Sequence, residues 1–241
     1  MSDTKKLRHR PAGGYARGEE TRQRIIAAGI ACFGELGFAG ASTREIAAQA
    51  GVNAPALQYY FENKEGLYCA CVETIAEHAW ANFAPAVERA RAVLAAAPDP
   101  QAAIEAFLDI QRALAEKLFT PRQSHDMHMH LFMAREQQGA EPQAGTAILM
   151  ERVRKPLHEV CANLLECITG EPAGSEQTRL RVFSVLGQLV IFHTAPRTTL
   201  ALLGWPAFDA EHGPRLVDAL QRQTRDLLSL WHRAKDSSAR E

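Results

Sequence analysis

Residues 42–65, STREIAAQAGVNAPALQYYFENKE, constrain this chain more tightly than any other stretch. Ser42 and Glu45 have the spacing of a capping box, which starts a helix near Thr43. Ile46, Ala47 and Ala50 give that helix an apolar face. Gly51 suits the left-handed residue that ends a helix. Asn53 is a good N-cap, and Pro55 falls in the first turn of the next helix, where a missing N–H costs little. A third helix then starts at Lys64. Two short helices joined by a glycine turn are a helix-turn-helix, whose second helix suits the DNA major groove.

The preceding stretch fits a small helical head. From Glu19 onward, Ile25, Cys32, Phe33 and Leu36 recur at helical spacing, and Gly37 and Gly40 break the helix. The expected head core is Ile25, Phe33, Leu36, Phe38, Ile46, Val52, Leu57, Tyr60 and Phe61. Over residues 1–24, Lys5, Lys6, Arg8, Arg10, Arg17, Arg22 and Arg24 outnumber Asp3, Glu19 and Glu20. Residues 1–18 therefore read as a basic arm, either lying along phosphates or solvated.

The 241 residues suffice for this head and a larger domain with its own core. A net charge of -1 excludes a uniformly basic protein. No apolar run is long enough to span a membrane, and the charged N-terminus has no apolar signal core. A cytoplasmic location is expected. The five cysteines, Cys32, Cys69, Cys71, Cys161 and Cys167, suit reduced, packed thiols.

In its residues the head resembles the N-terminal domain of TetR-type bacterial transcriptional regulators, from about Thr21 to Tyr68. The match is carried by STREIA, the Gly51-Val52 turn, LQYYF and NKEGL. The stretch Leu189 to Glu211, LVIFHTAPRTTLALLGWPAFDAE, and AREQ at Ala134 to Gln137 are similar to the CecR-type branch. The resemblance implies an all-α fold: a helix-turn-helix domain over 19–66 and a ligand-binding and dimerisation domain over 67–235. It implies double-stranded operator DNA, a small-molecule effector and a second copy of the chain as partners, with no membrane partner and no cofactor.

The family's DNA contacts carry over by position. Thr43 and Arg44 start the first helix of the motif, against phosphate and at times a base edge. Ala54, Pro55, Ala56 and Gln58 form the exposed front of the recognition helix. Tyr59 matches a ring that touches the backbone. Lys64 matches a lysine that meets phosphate, at a helix N-terminus that itself favours anions. The apolar Ala54 and Ala56 leave hydrogen-bond readout mainly to Gln58 and Arg44, with methyl contacts to thymine.

Beyond Lys64 the chain reads as helices throughout. The helix from about Ser175 to Thr194 is apolar nearly all round, so more than one side must be covered. The last helix carries Leu216, Val217, Leu220, Leu227, Leu228 and Trp231 at helical spacing. In the family two such helices from each subunit form a four-helix interface. Phe183, Leu186, Val190, Leu220, Leu227 and Trp231 are the expected interface residues, with one monomer core as the alternative. Candidate effector-lining residues are Phe83, Phe107, Ile110, Met129, Phe132, Met133, Arg135, Glu136 and His193, an apolar wall with a few polar groups.

One cluster competes with this reading. His125, His128 and His130 near Asp126 suit a transition metal. On a helix, however, His130 points away from the other two. No second ligand cluster, nucleophile elbow or phosphate-binding loop accompanies them, so no metal site and no catalytic residue is assigned. A metal- or redox-responsive regulator is the alternative, and a metal-dependent enzyme a distant one.

Overall fold

The computed structural model describes residues 12–96, 99–119, 124–139 and 141–238. Among them every regular element is helical: α1 (Ala12–Gly40), α2 (Thr43–Gln49), α3 (Ala54–Tyr60), α4 (Lys64–Ala95), α5 (Pro100–Phe119), α6 (Ser124–Gln137), α7 (Gln143–Leu149), a π-helical turn (Met150–Arg154), α8 (Lys155–Thr169), α9 (Glu176–Thr194), α10 (Pro196–Leu203) and α11 (His212–Ser238). The chain forms two compact units. Of the described residues, those within 12–75 and 124–148 form the first, and those within 76–119 and 149–238 the second. Helix α4 runs through the division without a break.

The first unit is larger than the head read from sequence, because α6 and α7 pack into it. Its core is Ile25, Ile26, Ile30, Phe33, Ile46, Leu57, Leu67, Tyr68 and Phe132, each almost wholly buried. Four rings meet at its centre. Tyr68 stacks on Phe132 at 4.8 Å and meets Phe33 and Phe38 edge-on at 5.2 and 5.4 Å. Such ring contacts add to the stabilisation from area burial. Helix α1 starts at Ala12, seven residues before the turn read from sequence, so part of the expected arm is helical. Residues 1–11 of that arm lie outside the described residues. Leu36 is not core: it is 48% exposed, in the last regular turn before a kink, where helical angle alone no longer decides burial.

The second unit is built on α5, α8, α9 and α11. Its core contains Phe83, Val87, Phe107, Ile110, Leu164, Leu165, Val182, Val185 and Leu228. A polar seam crosses it between α5 and α11. Gln111 donates to the Thr224 hydroxyl at 2.8 Å, and Gln221 donates to the Leu108 carbonyl at 2.7 Å and accepts from Arg112 at 2.5 Å. Buried amides need such partners, since an unmet one costs more than a made bond returns. Ala115, Leu189, Leu216, Val217 and Leu220 form a second buried cluster.

Candidate DNA interface and effector domain

The helix-turn-helix forms as its caps dictate. The Ser42 hydroxyl accepts the Glu45 N–H at 3.2 Å, and the Glu45 carboxylate accepts the Ser42 N–H at 3.0 Å and its hydroxyl at 2.7 Å. These bonds hold the Glu45 carboxyl below the ordinary carboxylate range. Gly51 takes φ 67 in the turn. The Asn53 side chain accepts the Ala56 N–H at 2.8 Å, and Pro55 sits in the first turn of α3. Leu57 alone of α3 is fully buried, and it anchors the helix.

With Leu57 inward, α3 turns Pro55, Gln58 and Tyr59 outward, and Tyr59 is 84% exposed. Ala54 and Ala56 are half-buried at the margin of that face. At the start of α2, Arg44 is exposed and Thr43 half-buried. Lys64, half-buried at the start of α4, places Nζ 4.6 Å from the centre of the Phe38 ring. Asn63 caps α4 by accepting the Gly66 N–H at 2.7 Å. The eight candidate DNA-contact residues thus lie on α2, α3 and the first turn of α4, with an amide, a phenol and two cations among them.

The candidate effector residues fall into separate groups. Phe83, Phe107 and Ile110 are closed into the core of the second unit. Met129, Phe132, Met133, Arg135 and Glu136 lie on α6 in the first unit. There Phe132 belongs to the ring cluster, Met129 and Met133 are half-buried, and Glu136 is buried. Arg135 donates to the carbonyls of Gly34 at 2.8 Å and Glu35 at 2.6 Å. The His193 side chain lies outside the described residues. Sequence reasoning missed a cleft of about 470 Å³ in the second unit, lined among others by Phe192, Leu203, Trp205, Arg215, Leu220 and Arg222. The aromatic residues around the Gly204-Trp205-Pro206 break are the one signal that could have found it.

Of the candidate interface residues, Phe183 and Val190 are 67% and 50% exposed on α9. Leu186, Leu227 and Trp231 are half-buried, with Arg181 stacked over Trp231 at 5.0 Å. Leu220 is 6% exposed, inside the monomer's own core. Leu180 and Ile191 on α9 and Leu230 on α11 are further exposed apolar residues, outside the set of expected interface residues.

Among the described residues no three His, Cys, Asp or Glu side chains converge on a metal position. His128 lies 3.3 Å from a Glu35 carboxylate oxygen, and the His125 side chain lies outside the described ones. No disulfide joins the five cysteines, whose thiols are buried or half-buried, and burial raises each, Cys161 up to about 12. No described helix is long and apolar enough to cross a membrane.

A capped helix-turn-helix on a helical head, followed by a second helical unit, is the architecture of a DNA-binding regulator. Known proteins agree. Residues 25–71 match the family of bacterial regulatory proteins of the tetR type, and 103–229 match the C-terminal domain of the HTH-type transcriptional dual regulator CecR. The CecR regulator of Shigella flexneri is 36% identical over 195 residues, 81% of this chain and 85% of that protein. The structure of AibR in complex with isovaleryl coenzyme A and operator DNA superposes with a TM-score of 0.58 at 15% identity, over 83% of this chain and 96% of that one. That of FadR from Bacillus subtilis in complex with stearoyl-CoA gives 0.53 at 17% identity, over 86% and 97%. This chain belongs to the TetR family of bacterial regulatory proteins, with a C-terminal domain of the CecR type. It is a ligand-responsive, DNA-binding transcriptional regulator.

Proposed function

We propose that the protein acts in the cytoplasm as a homodimeric repressor, released from its operator by an apolar or amphipathic small molecule. The observation that carries the DNA half is α3 itself: capped by Asn53, anchored by Leu57, and presenting Gln58 and Tyr59 outward. Gln58 reads a base edge, the methyl groups of Ala54 and Ala56 meet thymine, and Pro55 lies beside them. Thr43, Arg44, Tyr59 and Lys64 hold the phosphate backbone, which fixes register without reading sequence.

The dimer half rests on α9. Leu180, Phe183, Val190 and Ile191 leave apolar surface uncovered on a helix whose other face is core. Large exposed apolar patches mark interaction sites, and a two-fold axis pairs the same patch on both subunits. One head reads few base pairs, so two copies explain operator recognition. The nature of the effector is supported by the aromatic and aliphatic make-up of the second unit and by the acyl-CoA ligands of AibR and FadR, which share the fold. The effector shifts a two-state equilibrium only by its difference in affinity, typically about 1–3 kcal/mol.

Selection of bound fragments from random DNA, then release by a panel of acyl-CoAs and hydrophobic toxins, tests this reading. Enrichment of an inverted repeat and its release by one such compound is the expected result. Release by zinc, nickel or copper alone overturns the effector class.

A further inference from the structure

We propose that Arg135 and Glu141 are positioning residues for the DNA-binding head: together they hold the bend in α1 and so set where α2 begins. This rests on the reading of the head as the DNA-contacting part. The bend is at Gly37, whose backbone (φ 75, ψ 170) leaves the helical region. In an unbroken α-helix the Phe38 N–H would donate to the Gly34 carbonyl, four residues back. At the bend each of these two groups is met by a charged side chain from the α6–α7 segment instead. Arg135 donates Nε to the Gly34 carbonyl at 2.8 Å and Nη2 to the Glu35 carbonyl at 2.6 Å. Glu141 accepts the Phe38 N–H at 2.9 Å. A cation thus takes the acceptors freed by the bend, and an anion takes the donor.

The fit around the bend is close. A Cβ on Gly37 would stand 3.2 Å from both Arg135 Nη1 and Glu141 Oε1. One turn earlier, a Cβ on Gly34 would meet the His128 carbonyl at 2.7 Å, so glycine is what lets α1 and α6 approach. His128 also faces Glu35 at 3.3 Å, and Phe132 packs edge-on against Phe33. Just past the bend, the Ala41 N–H donates to the Gly37 carbonyl at 3.1 Å, and Ser42 caps α2. Only a short peptide therefore separates the clamped residues from the first helix of the motif. The α6–α7 segment belongs to the same compact unit as α1. Arg135, read from sequence as an effector contact, acts in this account on the head instead.

The test uses the full chain and two readouts. Amide exchange is measured without DNA on the parent, Arg135→Gln, Glu141→Gln and the milder Arg135→Lys, which keeps the charge but loses the fork. Hydrogen bonds to charged groups are worth enough that exchange over 36–49 is expected to accelerate about tenfold in the glutamine variants and less in Arg135→Lys, with 155–169 unchanged. Affinity for an operator enriched from random DNA by the parent should fall about tenfold in the same order. Faster exchange confined to Phe38, or equal operator affinity for the parent and all three variants, overturns the proposal. If the parent enriches no operator, the repressor reading fails, while the spread of exchange from residue 38 into α2 still decides the clamp.

Discussion

The Lys64 ammonium stands 4.6 Å from the centre of the Phe38 ring, so a side chain at the start of α4 rests on the end of α1, just past its bend at Gly37. Cation–π contact of this kind holds a charge in place without neutralising it. It therefore leaves the charge available to a phosphate.

Replacing Lys64 by Ala should weaken binding to every DNA sequence alike and lower the slope of log affinity against log salt by about one unit. A salt titration with operator and with random DNA checks both. A loss restricted to the operator would contradict the phosphate role.

Gln58→Ala should change base preference at one position in each half-site and leave affinity for random DNA unchanged. Binding profiles across an operator library distinguish this from a backbone contact. Asn53→Ala removes the cap of the same helix and should cost about 1 kcal/mol of stability. Its effect on DNA binding should be uniform over sequence.

Ser42→Ala should destabilise the head in a pH-dependent way. The hydrogen bonds from Ser42 lower the Glu45 carboxyl relative to the unfolded chain. A lowered carboxyl stabilises the fold above the unfolded carboxylate range, and that contribution disappears as pH falls through the folded value. The difference in melting temperature between parent and variant should thus be largest near neutrality and shrink on acidification.

Phe132→Ala should destabilise the first unit by about 3–5 kcal/mol, the usual cost of removing a buried phenyl ring. Phe132 is 2% exposed and stacked on Tyr68, so operator binding should fall with stability. Intact DNA binding with altered effector response would return Phe132 to the effector site.

The helix-turn-helix was legible because its signals are local: Ser42 with Glu45, Gly51, and Asn53 with Pro55 each act within one turn. The place of α6 was not. Arg135 and Glu141 meet backbone groups about a hundred residues away, exposed by a bend whose geometry no periodicity encodes. Polar residues in such roles look like surface or ligand contacts in a sequence. Apolar spacing on α11 likewise identified faces without saying which face the monomer covers. Leu220 proved to be inside, whereas Leu180 and Ile191, on a helix apolar all round, stayed outside.

Charged substitutions on the two faces should then separate. Phe183→Glu with Val190→Glu should give folded monomers of parental helical content that no longer hold the operator. Leu220→Glu should lose structure, because a charge would enter the closed cluster. Sedimentation and circular dichroism read both.

The DNA selected by the protein from random sequence, with the stoichiometry of the complex, tests the central claim most directly. Two subunits on an inverted repeat are predicted, with half-site centres about one helical turn or more apart. A single subunit on an asymmetric site, or no enriched site, would contradict it.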